Sequence, residues 1–190
     1  MLMGTKAAIN RTRIVEAANQ LFYQRGYNQT SFSDIAEASG LHRGNFYYYF
    51  KTKEDILGAV IDYRMAGIRQ MLADWEREFD TPLARLKRFV QMLRNSAADI
   101  RRYGCPIGSL NVELSKTQLQ LQSQAIEMFE LFRPWLAAQF QALGHTADAD
   151  RLALHMLSVA QGISLISNVY KQPDFLDRET VALDEWLDGM

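Results

Sequence analysis

Residues 31–57 constrain the fold of this chain more than any other stretch, because two helix-start signals bracket a glycine turn within it. Ser31 stands three residues before Asp34, the spacing at which a hydroxyl caps a helix and the acid reaches back to the cap amide. The spacing predicts a short helix that buries Phe32, Ile35 and Ala36 and ends at Gly40, a residue suited to a left-handed terminus. Leu41 can then pack inward, and a second helix starts at about His42 and Arg43, with Phe46 and Phe50, four apart, as its buried stripe. Thr52 with Asp55 repeats the first signal. It places Lys53 in the first turn of a third helix, where backbone N–H groups and the helix dipole favour an anion.

Two short helices in that relation form a helix-turn-helix, which lays its second helix in the major groove of DNA. The outward residues of that second helix, His42, Arg43, Asn45, Tyr47, Tyr48 and Tyr49, followed by Lys51 and Lys53, mix base-edge donors with groups that hydrogen-bond phosphate. Charge placement agrees. The formal net charge is −1, so affinity for DNA cannot come from a generic cationic surface. Residues 1–53 nevertheless carry seven basic side chains against three acidic ones, a net +4, which leaves −5 on the remainder.

The flanking residues carry a resemblance. The run R-I-V-E-A-A-N-Q-L-F-Y-Q-R-G-Y, residues 13–27, puts Ile14, Ala17, Ala18, Leu21 and Phe22 on one helix face and ends the helix at Gly26. With Thr30, Ile35-Ala36, Gly40, Gly44, Phe46-Tyr47, Phe50 and Lys53, residues 10–60 resemble the N-terminal DNA-binding domain of the TetR/AcrR family of bacterial transcriptional regulators. Two positions depart from the family pattern. His42 stands where Ser or Thr is usual, which removes a hydroxyl cap from the recognition helix, and Tyr49 stands where His is usual.

The resemblance implies an all-α protein with a helix-turn-helix domain at residues 1–53 and an effector-binding and dimerisation domain at residues 54–190. It implies a homodimeric, ligand-responsive repressor released from a palindromic double-stranded operator by a small apolar or electrophilic effector. A transcriptional activator and an effector-independent architectural DNA binder are the alternatives. On this reading Arg43 and Asn45 read bases, with His42 a further candidate, while Ser33, Tyr47, Tyr48, Tyr49 and Lys53 position phosphates.

Beyond residue 58 the pattern is helical, with no alternating Val/Ile/Thr-rich stretch. One helix is expected from 53 to about 79. A second, opened by Asp80-Thr81-Pro82, is expected to run to about 103 with Leu83, Leu86, Val90, Leu93, Ala97 and Ile100 as its stripe. A short helix over 106–115 and a long one over 117–143 follow, the latter kinked or interrupted by Pro134. In residues 148–170, Leu152, Met156, Val159, Ile163 and Ile166 make one face while Leu154, Leu157, Ala160 and Leu165 spread around the other, so the helix needs partners on two sides. Residues 173–187 add an amphipathic helix with Leu176, Leu183, Trp186 and Leu187. Two such helices per subunit can build a four-helix interface about a two-fold axis, and the resemblance implies that dimer.

Candidate effector contacts are the large apolar groups Met92, Tyr103, Met128, Phe132, Trp135 and Met156, beside Phe89 and Phe129; the same side chains also suit plain core. His155 is open to the same two readings. The block G-C-P-I-G-S-L-N-V-E-L-S, residues 104–115, resembles one in several TetR subgroups, some of which sense electrophiles through a cysteine at that place. Cys105 precedes Pro106, a helix-start signal, and a thiol at a helix N-terminus gains nucleophilic character. A packing role is the competing reading.

An enzyme built on Cys105 and His155 lacks an oxyanion motif or third orienting residue, and no phosphate-cradling Gly loop occurs. Three scattered His and one Cys give no metal spacing, and no cofactor is expected. No run is expected to span a membrane and no secretory signal is evident, which with a single Cys points to the cytoplasm.

Overall fold

The computed structural model describes residues 6–41 and 43–190, and the side chains of residues 42–45 and 117 lie outside the described set. Among the described residues the fold is all-α. The helices are α1 (Lys6–Arg25), α2 (Phe32–Ala38), α3 (Arg43–Tyr49), α4 (Lys53–Glu78), α5 (Pro82–Asn95), α6 (Ala97–Tyr103), α7 (Pro106–Thr117), α8 (Leu119–Ala142), α9 (Ala149–Tyr170) and α10 (Phe175–Asp188). The chain forms two compact units, one of Met1–Ala66 with Ser109–Glu127, the other of Gly67–Gly108 with Met128–Met190.

The first unit is built on the apolar face of α1. Ile14, Ala18, Leu21 and Phe22 are buried, with Ile35 and Ala36 of α2 and Phe46 of α3. Ala17, expected on that face, is only half-buried. Gly26 and Gly40 both take left-handed φ, +88° and +65°, and so stop α1 and turn the chain after α2.

In the second unit α5 packs against α10, and α6 and α10 pack against α9. The single helix expected over 82–103 is divided at Ser96. Its N–H is shared between the Met92 and Leu93 carbonyls at 3.2 Å each, and its ψ swings to 9°. The break turns the stripe: Leu86, Val90 and Leu93 are buried on a helix that faces α10, while Ile100 is buried on one that faces α9. Pro134 does not interrupt α8. It lies on an exposed face with Glu130, so the carbonyl deprived of its helix donor stands on the solvent side.

The expectation that no run is long and apolar enough to cross a membrane needs correcting, since Ala149–Tyr170 meets both conditions. Leu152, Ala153, Met156, Leu157, Ala160 and Ile163 of this helix are buried in the unit's own core. Leu157 and Ala160, expected on the second face, thus join the first. Leu154, Leu165 and Val169 stay exposed, the last two at 62 % each.

Candidate nucleic-acid interface

Both cap signals form as the spacing predicts. Ser31 donates its amide to Asp34 Oδ2 at 2.7 Å and its hydroxyl to the same oxygen at 2.6 Å, and Asp34 N–H returns a bond to Ser31 Oγ at 3.1 Å. These bonds from the Ser31 side chain and backbone, with Arg25 adding to them, hold the Asp34 carboxyl below the ordinary aspartate range. At the start of α4, Asp55 N–H bonds Thr52 Oγ1 and Asp55 Oδ2 accepts from Thr52 N–H, both at 3.0 Å. The same oxygen takes the Lys51 amide at 3.2 Å.

Between the caps, Arg13 of α1 donates to the Ser39 carbonyl at 2.9 Å, tying the turn to the first helix. Phe46 and Phe50 are buried. Phe32, expected inside, is half-buried: its ring meets Phe46 edge-on at 4.7 Å and stacks on Tyr47 at 5.0 Å. That stack holds Tyr47 upright, 54 % exposed, beside Tyr48 at 75 %. Tyr49 leans back, its hydroxyl accepting from Asn10 Nδ2 at 3.0 Å. Ser33 is exposed on α2. His42 and the side chains of Arg43 and Asn45 lie outside the described residues.

Lys53 has an inward position. Its ammonium donates to the Tyr27 and Thr30 carbonyls at 3.1 and 3.2 Å and stands 4.2 Å from the Tyr27 ring centroid. The other side of that turn is held by Glu113 of α7, whose carboxylate accepts from Tyr27 N–H at 2.9 Å and Asn28 N–H at 2.7 Å. A Cβ on Gly26 would stand 3.2 Å from both Glu113 oxygens and press that carboxylate back by a few tenths of an ångström, in addition to the strain at its φ. Burial pushes the Tyr27 phenol up, with the Glu54 and Glu113 carboxylates adding to it, so the hydroxyl remains a donor to Glu54 Oε1 at 3.2 Å. Sequence reasoning missed Glu113. It lies within the 104–115 block, which drew notice only for its cysteine.

The candidate effector residues fall in two groups. Met128, Phe132 and Met156 are buried, Phe132 5.7 Å from Phe89. Met92, Tyr103, Cys105 and Trp135 are half-buried. Trp135 sits 5.7 Å from Trp75 and donates from Nε1 to Glu76 at 2.9 Å. Cys105 Sγ accepts from Gly108 N–H at the start of α7 and from Gln161 Nε2, each at 3.4 Å. His155 is exposed, its ring 5.2 Å from Trp186.

Residues 14–60 match the family described as bacterial regulatory proteins, tetR family, and residues 82–180 match the C-terminal domain of LmrA/YxaF-like transcriptional regulators. An HTH-type transcriptional regulator in the lacX 3' region of Lactococcus lactis subsp. lactis is 30% identical over 171 residues, 88% of this chain and 87% of the relative. The chain belongs to the TetR family of transcriptional regulators. As a member it is a helix-turn-helix regulator and not an enzyme. LmrA of Bacillus subtilis is 26% identical over 158 residues, 81% of each chain. A TetR regulator of Chloroflexus aurantiacus superposes with a TM-score of 0.85 at 25% identity over 97% of both chains. One from Cytophaga hutchinsonii gives 0.84 at 23% identity over 100% of this chain and 98% of its own, which extends the likeness of fold to this TetR-family chain's full length.

Proposed function

We propose that this TetR-family regulator is a homodimeric repressor that holds a palindromic operator through two recognition helices and releases it when a small molecule occupies the Gly67–Gly108 and Met128–Met190 unit. The observation that carries the DNA half is the ridge of Tyr47 and Tyr48, large phenols held out of the head by a buried Phe46–Phe50 anchor and the Phe32 stack. Phenols so placed suit phosphate, as exposed Ser33 does, with Tyr49 able to add only the O–H that its bond from Asn10 leaves unused, and they leave Arg43, Asn45 and His42 to the base edges. Two heads would meet half-sites roughly 34–36 Å apart or somewhat more.

The dimer half rests on α9, whose exposed Leu154, Ser158, Gly162, Leu165 and Val169 follow one another at helical spacing. With exposed Val181 of α10 they supply a self-complementary apolar face of the kind a two-fold interface uses. The site of action is the cytoplasm, where operator DNA lies.

Selection from a random duplex pool is expected to return a two-fold-symmetric sequence bound by one dimer, and transcription through it should fall when protein is added. Enrichment without a shared sequence overturns the reading, and increased transcription makes the chain an activator.

The Cys105 geometry favours a second route to release. Gly108 N–H and Gln161 Nε2 both reach the sulfur at 3.4 Å, so alkylation there would displace both contacts and disturb the start of α7. On this route iodoacetamide labels Cys105 in the native dimer and frees the operator, and Cys105→Ser abolishes that release. Labelling only after denaturation makes Cys105 a packing residue and leaves noncovalent binding as the route.

A further inference from the structure

Most partly buried cations of the second unit are completed by the unit itself. Arg85 donates to the Phe79 and Glu76 carbonyls, Arg94 pairs with Asp184 and Thr180, and Arg133 forks onto Asp150. Arg88 differs. Its side chain is half-buried, its guanidinium carbon stands 4.7 Å from the Trp75 ring centroid, and Nη1 is fully enclosed with no hydrogen-bond partner. Among the described residues it has neither an ion pair nor a hydrogen bond.

A buried cation is ordinarily paired, because desolvation is costly unless its donors are used. The Trp75 ring attracts the guanidinium face, but a ring face accepts none of the five in-plane N–H groups. What matches an unused guanidinium edge is an oxyanion, a carboxylate, sulfonate or phosphate, two of whose oxygens take parallel hydrogen bonds. No carboxylate of the unit supplies it: Glu76, next to Trp75, accepts from Trp135 Nε1 and forms no ion pair with Arg88. Apart from that carboxylate, the side chains named around Arg88 (Trp75, Trp135 and Met92) are aromatic or apolar. Trp75 is buried and meets Trp135 edge-on, while Trp135 and Met92, the latter one turn on from Arg88, keep partial access to solvent.

We propose that Arg88 is the acid-binding residue of the effector site, and that the effector is an apolar organic anion whose acidic group pairs with this guanidinium while its body lies against Trp135 and Met92. The proposal rests on the ligand-response reading above and adds to it the chemical class of the ligand. A positively charged or uncharged effector would leave Arg88 as it stands.

Two fluorescent probes with one skeleton separate the terms: 1-anilinonaphthalene-8-sulfonate and its uncharged counterpart N-phenyl-1-naphthylamine. Both are read by energy transfer from tryptophan in the full-length dimer. The wild type is expected to bind the sulfonate about tenfold tighter, the scale of one charge-assisted pair. Arg88→Met should erase that preference and leave the uncharged probe's affinity within about twofold, which also reports that the site is intact. If Arg88→Met does not melt cooperatively, Arg88→Lys decides, with the sulfonate weakened and the uncharged probe unchanged, because an ammonium lacks the planar fork. Equal binding of the two probes by the wild type, or a preference that survives both substitutions, overturns the proposal and leaves the ligand-response reading standing. Failure of both probes to bind the wild type overturns that reading and the proposal with it.

Discussion

At the scale of single residues, the head is governed by where a few charges are committed. Lys53 is expected from the sequence to position a phosphate, yet two of its three N–H groups go to the Tyr27 and Thr30 carbonyls. Lys53→Ala is therefore expected to lower the melting temperature by about 2–4 °C per kcal/mol lost, with a salt slope of DNA binding near wild type. A slope reduced by about one would return it to the phosphate set. Arg43→Ala should instead relax base preference and cost about 1–3 kcal/mol at the cognate site. Asp34 sets a pH dependence. Its carboxyl is held low by Ser31, so its contribution to the folded head is complete at neutral pH and is lost as pH falls through the ordinary aspartate range and then the folded value. Asp34→Asn should flatten that acid limb of the melting curve, and an unchanged limb would show that other carboxylates dominate it. These short-range devices were legible because a cap is written in a spacing of three and a buried stripe in a spacing of four. Glu113 was not, since its partner Asn28 lies 85 positions away and nothing local to either residue marks the bond.

Among the elements, α9 shows what periodicity can and cannot reveal. That apolar residues lie on two sides of it was readable from the sequence, but which of them the unit's own core takes was not. Leu157 and Ala160 turn to the subunit's own core, and the remaining outward ridge is narrower, with Gly162 at its middle. The α5–α6 break was hidden for a related reason, since the stripe from Leu86 to Ile100 keeps helical spacing through Ser96 and only the shared N–H of that residue turns the axis. Gly162 provides the sharper test of assembly. An added Cβ there meets nothing within 4 Å, so Gly162→Leu is accommodated by the subunit and even favours the helix by about 1 kcal/mol. In the dimer proposed above, however, it would stand in the middle of the exposed α9 ridge. Sedimentation is expected to show a monomer with undiminished helix content, whereas a dimer at micromolar concentration would place the interface elsewhere.

Across the whole molecule, the compact units do not follow chain order. The unit that contains the head is completed by Ser109–Glu127, and the carboxylate of Glu113 is its most specific contribution there. Glu113→Gln presents an amide N–H where an acceptor is needed, and one of the two turn amides loses its partner. Faster hydrogen exchange at Tyr27 and Asn28, with a lower melting temperature, is the expected result; exchange as slow as in the wild type would make the clasp incidental. The practical consequence concerns exchange of parts between regulators. A chimera that grafts residues 1–66 onto a foreign body carries a Gly26 shaped around a carboxylate that no longer arrives, so a transplanted head should recover its stability only when the recipient helix is given a glutamate in the place of Glu113.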